Sequence, residues 1–449
     1  MGVVGRKARP SPEVGHELIP RGGCDGSAPQ QQDRRRSMPT ESSVRVLRTL
    51  AELEEIRQEW ESWPGHRDSD IDFFSTRVSS NPATVRPHVI VAYRDGRPDA
   101  ILVGRIDLTL LPLKIGYWKL PSRRVRLLDF AIGAQRGNCS AEASQILLRE
   151  ALDCLRRGEA DLGRLDFVRV DSPLYQLARS LPGVLERDRG AVPQPHWSMQ
   201  LAENCEEVLN GLSQSLRYEL KHKTKRIEAD FASVVVKCFE KPDELDILIR
   251  DVESIAAKSY QRSIGVGFHN SEPMRQRLLF EAKKGWLLAY VLYVENVPRA
   301  FWIGTLYDDV FYGQFIGFDE EFSDHSPGTV LQAKGLEDIC ARQVRGIDFG
   351  PGDAQYKARF GSTCHEEASL FLFPPTFRGV ALNLLRTLTA LANETAKGVA
   401  GRAGALPAIK RILRGKKSNH SKPPSFGRQS SDSRCRQYDD GRPVGDPSS

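Results

Sequence analysis

Apolar positions recur in two similar series along the chain, and the first series begins at Val44. Leu53, Ile56 and Trp60 stand at helical spacing, which predicts an amphipathic helix. An Asp-Gly pair at residues 95–96 separates two apolar runs and predicts a hairpin turn. The predicted elements of this half are helices over residues 51–60, 140–157 and 172–178 and strands over 88–93, 99–105 and 165–170.

The second series repeats the plan of the first with little sequence identity. Its predicted elements are helices over residues 243–260 and 329–343 and strands over 286–293, 299–304, 310–318 and 346–349. Such repetition predicts an α/β (α+β) protein built from a duplicated unit of about 150–180 residues. We assign residues 44–200 to an N-terminal domain and residues 201–377 to a C-terminal domain, each with a mixed central sheet flanked by helices.

The two ends of the chain depart from this pattern. Residues 1–43 and 416–449 contain few apolar residues, so we predict disorder for both. Residues 378–415 have leucines at helical spacing and predict a C-terminal helical extension. Met38 stands just before the first patterned segment, and we hypothesise that translation starts there; a native peptide spanning residues 36–38 would exclude this.

Positive charge is concentrated at the ends of the chain. The net charge is +6, but residues 401–449 hold 11 Lys and Arg against 4 Asp and Glu, and residues 1–40 hold 7 against 4. Residues 41–400 therefore carry a net charge of −4. The basic total is no evidence that the folded part binds nucleic acid, and we expect no DNA partner.

The eight cysteines are scattered, with no CxxC pair and no histidines beside them at metal-ligand spacing. We therefore expect buried thiols in a reducing compartment, no metal ion and a cytoplasmic location. The N-terminus lacks the apolar core of a secretory signal. No apolar run reaches the ~18 residues of a membrane span, so we expect no transmembrane segment.

The helical extension ends in a basic stretch at residues 410–417. It has two interpretations: the extension docks as a helix on the folded core, or its basic end contacts an anionic membrane surface. We favour docking, because threonine, asparagine and glycine residues dilute the apolar face of this helix.

Three internal segments contain the residue types that chemistry requires, and the first is a basic helix. Residues 213–227 combine an apolar seam with a positive flank that includes Arg217, Lys221 and Lys225. Such a helix suits a phosphate-bearing substrate, which Lys and Arg bind through point charges and bidentate contacts. The alternative is a solvated helix face with no ligand.

The second segment, residues 317–331, marks the end of a strand and the start of a helix. Ser326 suits the N-cap, Pro327 the first turn, and Gly328 allows another backbone to come close. Amides at a helix N-terminus attract phosphate, so Ser326, Gly328, Thr329 and Val330 are the candidate cofactor-binding residues. The alternative is an ordinary capped helix.

The third segment, residues 347–361, runs from an apolar strand into a Gly-Pro-Gly bend. Asp348 and Asp353 flank the bend, and Tyr356 and Lys357 follow it. Two glycines around a proline predict a sharp, strained turn, which often belongs to a functional site. The alternative is a structural turn with solvated charges.

The second and third segments, with the basic helix before them, resemble the double-domain branch of the GNAT acyltransferase superfamily. This branch includes acetyltransferases associated with cellulose and exopolysaccharide synthesis and the related Fem-type aminoacyltransferases. The resemblance covers roughly residues 44–377. The matching phrases are Phe318-Asp319, Ser326 to Leu331, Asp348 to Asp353 and Tyr356-Lys357.

The resemblance implies two tandem GNAT-like folds, with the acyl donor held by the C-terminal one. The implied donor is acyl-CoA, most simply acetyl-CoA. Single-domain members have a small residue where this chain has Val330. Lys357 resembles a lysine of Fem-type relatives, which use aminoacyl-tRNA, so the identity of the donor stays open between the two.

We expect direct transfer, without an acyl-enzyme. Asp348 or Asp353 would accept the proton of the acceptor, Tyr356 would protonate the leaving group, and Lys357 would stabilise developing negative charge. The basic helix would line the cleft between domains. No GxSxG elbow and no GxxxxGK[ST] loop occurs, which argues against a serine hydrolase and a P-loop NTPase.

Three functions remain open from the sequence. The favoured one is an acyltransferase that moves an acyl group from acyl-CoA to an amine, a sugar or a polysaccharide precursor, in polysaccharide or cell-envelope biosynthesis. The alternatives are a Fem-like aminoacyltransferase and a non-catalytic GNAT-fold scaffold of polysaccharide assembly. Fold analogy alone does not decide among them.

Overall fold

The computed structural model describes residues 42–110, 114–115, 118–119, 124–202, 204–259 and 267–402. The predictions for the N-terminal leader, for Met38 and for the basic stretch and tail beyond residue 402 lie outside these residues. All of the described residues belong to one compact unit.

The strands of the described chain occur singly or in runs that helices separate. They are β1 Ser42–Leu47, β2 Thr84–Pro87, β3 Val89–Arg94, β4 Arg97–Leu110, β5 Lys114–Ile115, β6 Trp118–Lys119, β7 Arg124–Gly137, β8 Leu162–Arg169, β9 Gln194–Gln200, β10 Val234–Phe239, β11 Leu287–Val294, β12 Val297–Tyr307, β13 Val310–Phe318, β14 Gly346–Pro351 and β15 Thr363–Leu372.

The helices flank the strands, and three short 3-10 turns precede some of them. The helices are α1 Leu50–Glu54, α2 Arg57–Ser62, α3 Ile71–Ser80, α4 Ala141–Arg156, α5 Pro173–Ser180, α6 Cys205–Gly211, α7 Gln214–Asp230, α8 Leu245–Ala256, α9 Glu272–Lys283, α10 Pro327–Ala341, α11 Gln355–Phe360 and α12 Phe377–Arg402. The 3-10 turns are Arg67–Ser69, Pro242–Glu244 and Glu320–His325.

The strands form one mixed sheet of 13 strands, which confirms the predicted α/β class. Its order is β1-β3-β4-β7-β8-β15-β9-β14-β13-β12-β11-β10, and β2 pairs with β4 beside this path. The separate β5 and β6 form a two-stranded ladder. The sheets predicted for the two halves are therefore joined edge to edge.

The two halves exchange strands where they meet. β9 precedes residue 201, yet it pairs with β14 of the second half. β15 follows the second half, yet it pairs with β8 of the first half and with β9. The order β8-β15-β9-β14 is thus an interleaved junction, and the boundary between residues 200 and 201 stays a prediction.

Most predicted elements appear near their expected bounds, with one division. The hairpin turn between β3 and β4 has Asp95 at φ 51° and Gly96 at φ 76°, as two left-handed residues in such a turn require. The helix predicted over residues 51–60 is split, because α1 ends at Glu54 with a capping box at its start and α2 begins at Arg57.

Different helices cover the two faces of the sheet in the second half. α10 packs on one face through buried Val330, Leu331 and Leu336, together with α7. α8 and α9 pack on the other face, against Phe301 and Ile303 of β12. Side chains alternate between the faces along each strand, so Phe311 faces α10 and the neighbouring Tyr312 faces the opposite side.

α12 docks on the first half, in agreement with the favoured interpretation of the helical extension. Asn383 donates hydrogen bonds to the carbonyl oxygens of Leu185 and Arg187, at 3.0 and 2.9 Å. Arg386 forms an ion pair with Asp188 at 3.2 Å. None of the helices in the described ranges is both long and apolar enough to cross a lipid bilayer.

Candidate functional site

The candidate site lies where the parallel strands β13 and β14 separate. They pair only over Val310–Tyr312 and Gly346–Asp348. Beyond that point β13 continues along β12 to Phe318, whereas β14 pairs with β9 on its other side. Asp348 is therefore the last residue of β14 to pair with β13, at the point where the sheet opens.

Asp348 belongs to a chain of hydrogen bonds that crosses three neighbouring strands. His196 of β9 donates through Nε2 to Asp348 Oδ1 at 2.8 Å and through Nδ1 to Glu367 Oε2 of β15 at 2.7 Å. His365 Nε2 lies 2.9 Å from the other oxygen of Glu367, and its ring stacks on His196 at 4.7 Å. The strand exchange is what brings these residues together.

The two carboxylates keep His196 positively charged. Burial alone would lower the pKa of His196, but its hydrogen bonds to Asp348 and Glu367 and their negative charges raise the pKa to about 9. Burial opposes the ionisation of Asp348, yet the hydrogen bond and charge of His196 prevail and lower its pKa. The pKa of Glu367 is lowered against burial in the same way, with His365 contributing.

Asp348 also faces open space. A cleft of about 430 Å³ lies over the stretch where β13 and β14 pair, beside β9, and Asp348, Tyr312 and Ser198 are among its lining residues. Both described hydrogen bonds to Asp348 fall on Oδ1, because the Gly350 amide donates to the same oxygen at 2.6 Å. Among the described residues, none donates to Oδ2, so this oxygen is available to a bound molecule.

Tyr312 forms the second polar wall of this cleft. The ring of His66, from the loop before α3, meets Tyr312 edge-on at 4.8 Å. Burial raises the pKa of Tyr312, and the negative charge of Asp348 acts in the same direction. Burial lowers the pKa of His66, so this imidazole is neutral at pH 7. A segment of the first half thus packs against a residue that lines the cleft.

The Gly-Pro-Gly bend follows β14 directly. Gly350 has φ +72° and Gly352 φ +117°, which only glycine adopts readily. Lys357 Nζ donates to the carbonyl oxygens of Gly350 at 3.2 Å and Pro351 at 2.8 Å, and so holds the bend in shape. Burial lowers the pKa of Lys357, while the carboxylates Asp348 and Asp353 counteract part of this effect.

The other two predicted catalytic residues have different surroundings. Asp353 is exposed on the outside of the bend. Tyr356 is half-buried, and its ring meets Phe349 at 6.4 Å. Of the four predicted catalytic residues, Asp348 alone is among the residues that line the cleft, while Lys357 acts on the bend beside it.

The predicted phosphate-binding turn has an uncapped helix start. Ser326 adopts a left-handed conformation, with φ 51° and ψ 50°, and its side chain makes no capping hydrogen bond to α10. The Ser326 amide donates to Ser323 O, and the amides of Thr329 and Val330 both donate to Ser326 O. Three of the four predicted amides are thus committed within the chain, and the phosphate-binding prediction now depends mainly on Gly328.

The predicted basic helix is α7, and its apolar seam is buried as expected. Arg217, Lys221 and Lys225 are exposed on it. α7 packs beside α10, where Lys334 pairs with Glu228 at 2.7 Å. This is the face of the sheet opposite to Tyr312, so α7 does not line the cleft beside Asp348, and its role in substrate binding stays a prediction.

Sequence reasoning missed His196, Glu367, His365 and Tyr312. His196 and Glu367 are 171 residues apart in the chain, so no local spacing could reveal their contact. β9 shows no clear alternation of buried and exposed residues, and β15 alternates only over Ala368–Leu372. The sequence offered one signal, which is that His196 precedes an aromatic residue and His365 precedes two acidic residues.

Two groups of described side chains bring metal-ligand atoms within 4.8 Å of one another: His88, Cys154 and Glu159, and His196, His365 and Glu367. In the first group, burial raises the pKa of Cys154 to about 12, so the thiol keeps its proton. In the second group, both nitrogens of His196 are already hydrogen-bonded to carboxylates. Within the described part of the chain, we assign a metal to neither group.

The fold and site define a mixed α/β protein whose parallel strand pair opens beside an acidic residue. Residues 214–358 match the family model described as the acetyltransferase (GNAT) domain. This span includes β13, α10, β14 and Asp348, and it has the GNAT-superfamily fold that the resemblance implied. No curated protein matches the sequence.

Three solved structures resemble the chain at low sequence identity. A structure of FemX is 13% identical, with a TM-score of 0.49, and the match covers 74% of this chain and 97% of FemX. A structure of L-PGS from Bacillus licheniformis is 10% identical, with a TM-score of 0.44 and coverage of 78% and 99%. A tandem GNAT protein from the clavulanic acid biosynthesis pathway is 13% identical, with a TM-score of 0.43 and coverage of 75% and 100%.

Proposed function

We propose that this protein is an acyltransferase that moves an acyl group from acyl-CoA to an amine or hydroxyl acceptor. The observation that carries the proposal is the position of Asp348, within the span that matches the GNAT domain. It lies at the end of the β13–β14 pairing, faces the cleft and is kept ionised by His196. An ionised carboxylate at an opening in the sheet can attract a cationic acceptor and take its proton.

The reaction is a direct transfer in which one bond forms as another breaks. The acceptor nitrogen or oxygen attacks the thioester carbonyl carbon, a C–N or C–O bond forms, and the C–S bond breaks. The acceptor attacks in its neutral form, and its proton passes to Asp348 Oδ2, directly or through a water, and from there to solvent, which restores the carboxylate. Tyr356 gives its hydroxyl proton to the departing thiolate and regains one from solvent.

His196 and Lys357 have supporting parts in this reaction. His196 is a positioning residue, because it orients Asp348 and is itself oriented by Glu367. Lys357 uses two of its three N–H groups on the bend. The third N–H is the one we assign to the negative charge that develops on the carbonyl oxygen.

The acyl donor would bind from the α10 side. The Gly328 amide and the partial positive charge at the N-terminus of α10 would contact its phosphates. The exposed stripe of Arg217, Lys221 and Lys225 on the neighbouring α7 supplies positive charge for the same anionic donor. A role in polysaccharide or envelope synthesis and a cytoplasmic location remain predictions.

The direct test is thiol release from acetyl-CoA in the presence of candidate amines, amino sugars and saccharides. We expect release that depends on the acceptor and that Asp348→Asn abolishes, while Asp353→Asn, on the exposed side of the bend, retains it. Release that continues unchanged in Asp348→Asn would remove Asp348 from the mechanism. No release with acetyl-CoA or longer acyl-CoAs would favour a scaffold role.

A second candidate function is Fem-like transfer from aminoacyl-tRNA. The observation in its favour is Lys357, which stands shortly after the glycine bend and holds it through two carbonyl oxygens. Charged tRNA that binds more tightly than acetyl-CoA, with loss of binding in Lys357→Met, would support this candidate over the first.

A further inference from the structure

A second cavity lies between α3 of the first half and α9 of the second half. It measures about 300 Å³ and includes the side chains of Arg77 from α3 and Arg277 from α9. Hydroxyl and amide groups complete its polar lining, from Thr76, Ser80, Asn81 and Ser271. The mechanism proposed above uses none of these residues.

The positive charge in this cavity is not fully compensated. Three guanidinium groups, of Arg67, Arg77 and Arg277, lie 5.6–5.9 Å from the ring of Phe73. Arg277 donates to Glu281 at 2.9 Å, and Arg67 lies 3.4 Å from Asp68.

Arg77 differs from its two neighbours. Among the described residues, it has neither a hydrogen bond nor an ion pair, and its described contact is the ring of Phe73. Burial lowers the pKa of Arg77, and the charges of Arg105 and Arg277 act in the same direction, against Asp68. A cation in this position has lost part of its hydration without gaining a counter-ion, which costs free energy until an anion binds.

The first turn of α9 adds further positive potential. Ser271 is the N-cap of this helix, but its side chain makes no capping hydrogen bond. Pro273 and Met274 of the same turn line the cavity. Uncapped amides at a helix N-terminus favour a negative group, but Pro273 has no N–H and Glu272 places a negative charge in the same turn, so the two arginines supply most of the positive potential. The cavity therefore combines an unpaired guanidinium, a second arginine and a helix start.

We propose that this pocket binds an oxyanion, a phosphate or carboxylate group of a small molecule, between Arg77 and the first turn of α9. The planar guanidinium fits either group through two parallel hydrogen bonds. The volume is at the lower end of ligand sites, so the pocket takes the charged end of a ligand whose remainder extends outward.

The position of Arg67 suggests where that remainder goes. Its guanidinium lies 5.9 Å from the Phe73 ring on the pocket side and 5.6 Å from the Tyr312 ring on the side of the Asp348 cleft. Arg67 is itself buried and lines neither cavity, so it separates the pocket from the cleft, and the remainder of the ligand leaves the pocket toward solvent.

The test is thermal unfolding of the full-length protein in potassium phosphate, in potassium acetate and in potassium chloride of equal ionic strength. We expect about 20 mM phosphate or acetate to raise the Tm by about 2–4 °C over chloride. Phosphate alone, or acetate alone, would identify which oxyanion the pocket takes. No rise with either anion would overturn the proposal.

The matched variants are Arg77→Met and Arg149→Met, which remove one positive charge from a helix at the pocket and at an exposed position of α4, respectively. Arg77→Met leaves no hydrogen-bond partner unpaired, so we expect it to fold with an equal or higher Tm in chloride and to lose the anion-dependent rise. Arg149→Met should keep the rise. An Arg77→Met protein that keeps the full rise would also overturn the proposal.

These measurements do not depend on enzymatic activity. If the anions raise the Tm but no acyl transfer occurs with any acceptor, the oxyanion pocket stands and the proposed function fails. Transfer without any anion-dependent rise would leave the function standing and remove the pocket.

Discussion

Each half of the described molecule contains a parallel strand pair whose two strands are connected through a long helix. The aspartate of each pair has different partners in the two halves. In the first half, β7 and β8 pair over Leu127–Phe130 and Leu162–Leu165. In the second half, β13 and β14 carry the pair that ends at Asp348. Each pair contains an aspartate, which is Asp129 on β7 and Asp348 on β14.

Asp129 is neutralised within its own half. Arg105 donates to one carboxylate oxygen at 2.8 Å, and Arg164 donates to the other at 2.8 Å. Asp129 is buried at 5% exposure, so the group is closed to solvent. Asp348 and Glu367 instead both form hydrogen bonds with His196. Asp348 also lines a cleft, and its Oδ2 atom accepts no hydrogen bond from the described residues.

The connections to the helices differ in the same way. β7 ends at Gly137 and α4 begins at Ala141, and the Ser140 side chain accepts a hydrogen bond from the Ala143 amide at 3.2 Å. β13 ends at Phe318 and α10 begins at Pro327, after a 3-10 turn and an uncapped Ser326. At this connection the first half caps its helix with a side chain, whereas the second leaves the Ser326 side chain without a capping contact.

The largest expected difference between the halves is in catalysis. Asp348→Asn should lower kcat/KM for acyl transfer by about 100-fold or more, because no carboxylate then takes the proton from the attacking amine or hydroxyl group. Asp129→Asn should leave kcat/KM of the folded protein unchanged. Steady-state thiol release with both variants checks this, and equal losses in the two would contradict a division of roles.

Stability should show the opposite order. Asp129→Asn removes one of the two carboxylates that bind Arg105 and Arg164, which keep Asp107 and Asp166 respectively, so we expect the free energy of unfolding to fall by about 1–3 kcal/mol. Asp348→Asn, beside a solvent-filled cleft, should cost less. Urea unfolding followed by tryptophan fluorescence measures both, and a smaller cost for Asp129→Asn than for Asp348→Asn would refute the comparison.

His196 should give the second half a distinctive pH dependence. Because its pKa is about 9 in the folded protein and about 6.5 in the unfolded chain, its stabilising charge is fully present below pH ~6.5. That stabilisation is lost as the pH rises toward ~9, by on the order of 3 kcal/mol. His196→Gln should remove this slope.

The measurement is the free energy of unfolding from about pH 6 to 9.5 in both proteins. The same variant should reduce kcat/KM more than it changes KM for acyl-CoA, because His196 orients Asp348 rather than binding the donor. Identical pH slopes in the two proteins would rule out a charged His196.

The smallest expected effect concerns the two helix starts. Ser140→Ala should lower the free energy of unfolding by about 1 kcal/mol, because α4 loses its N-cap. Ser326→Ala should change it by less than about 0.5 kcal/mol, since the Ser326 side chain caps nothing. Chemical unfolding of both variants decides this, and equal costs would show that α10 is capped after all.

Local patterns were enough to predict the strands and helices whose partners are close in the chain. The β3–β4 hairpin follows from its Asp-Gly turn, and β13 appears with the predicted bounds of residues 310–318. The Gly-Pro-Gly bend has the positive φ angles that its glycines suggest. In each case the physical cause lies within a few residues of the element.

Long-range features were missed because their causes are distant in the chain. β9 and β15 are paired along both edges with strands of the other half, and no local sequence pattern indicates partners so distant in the chain. Asp348 was predicted from its own motif, but its partner His196 was not. The predicted amide site also overlooked that Ser326 O would bind two of the amides itself.

The interleaving of β8, β15, β9 and β14 makes the two halves mutually dependent. Cutting the chain after Gln200 would leave one fragment without the strand that borders β8 and the other without the strand that borders β14. Deleting either half, or transferring it alone to another protein, would therefore expose an unpaired sheet edge. A substitution in one of these strands therefore affects the strand pairing of both halves.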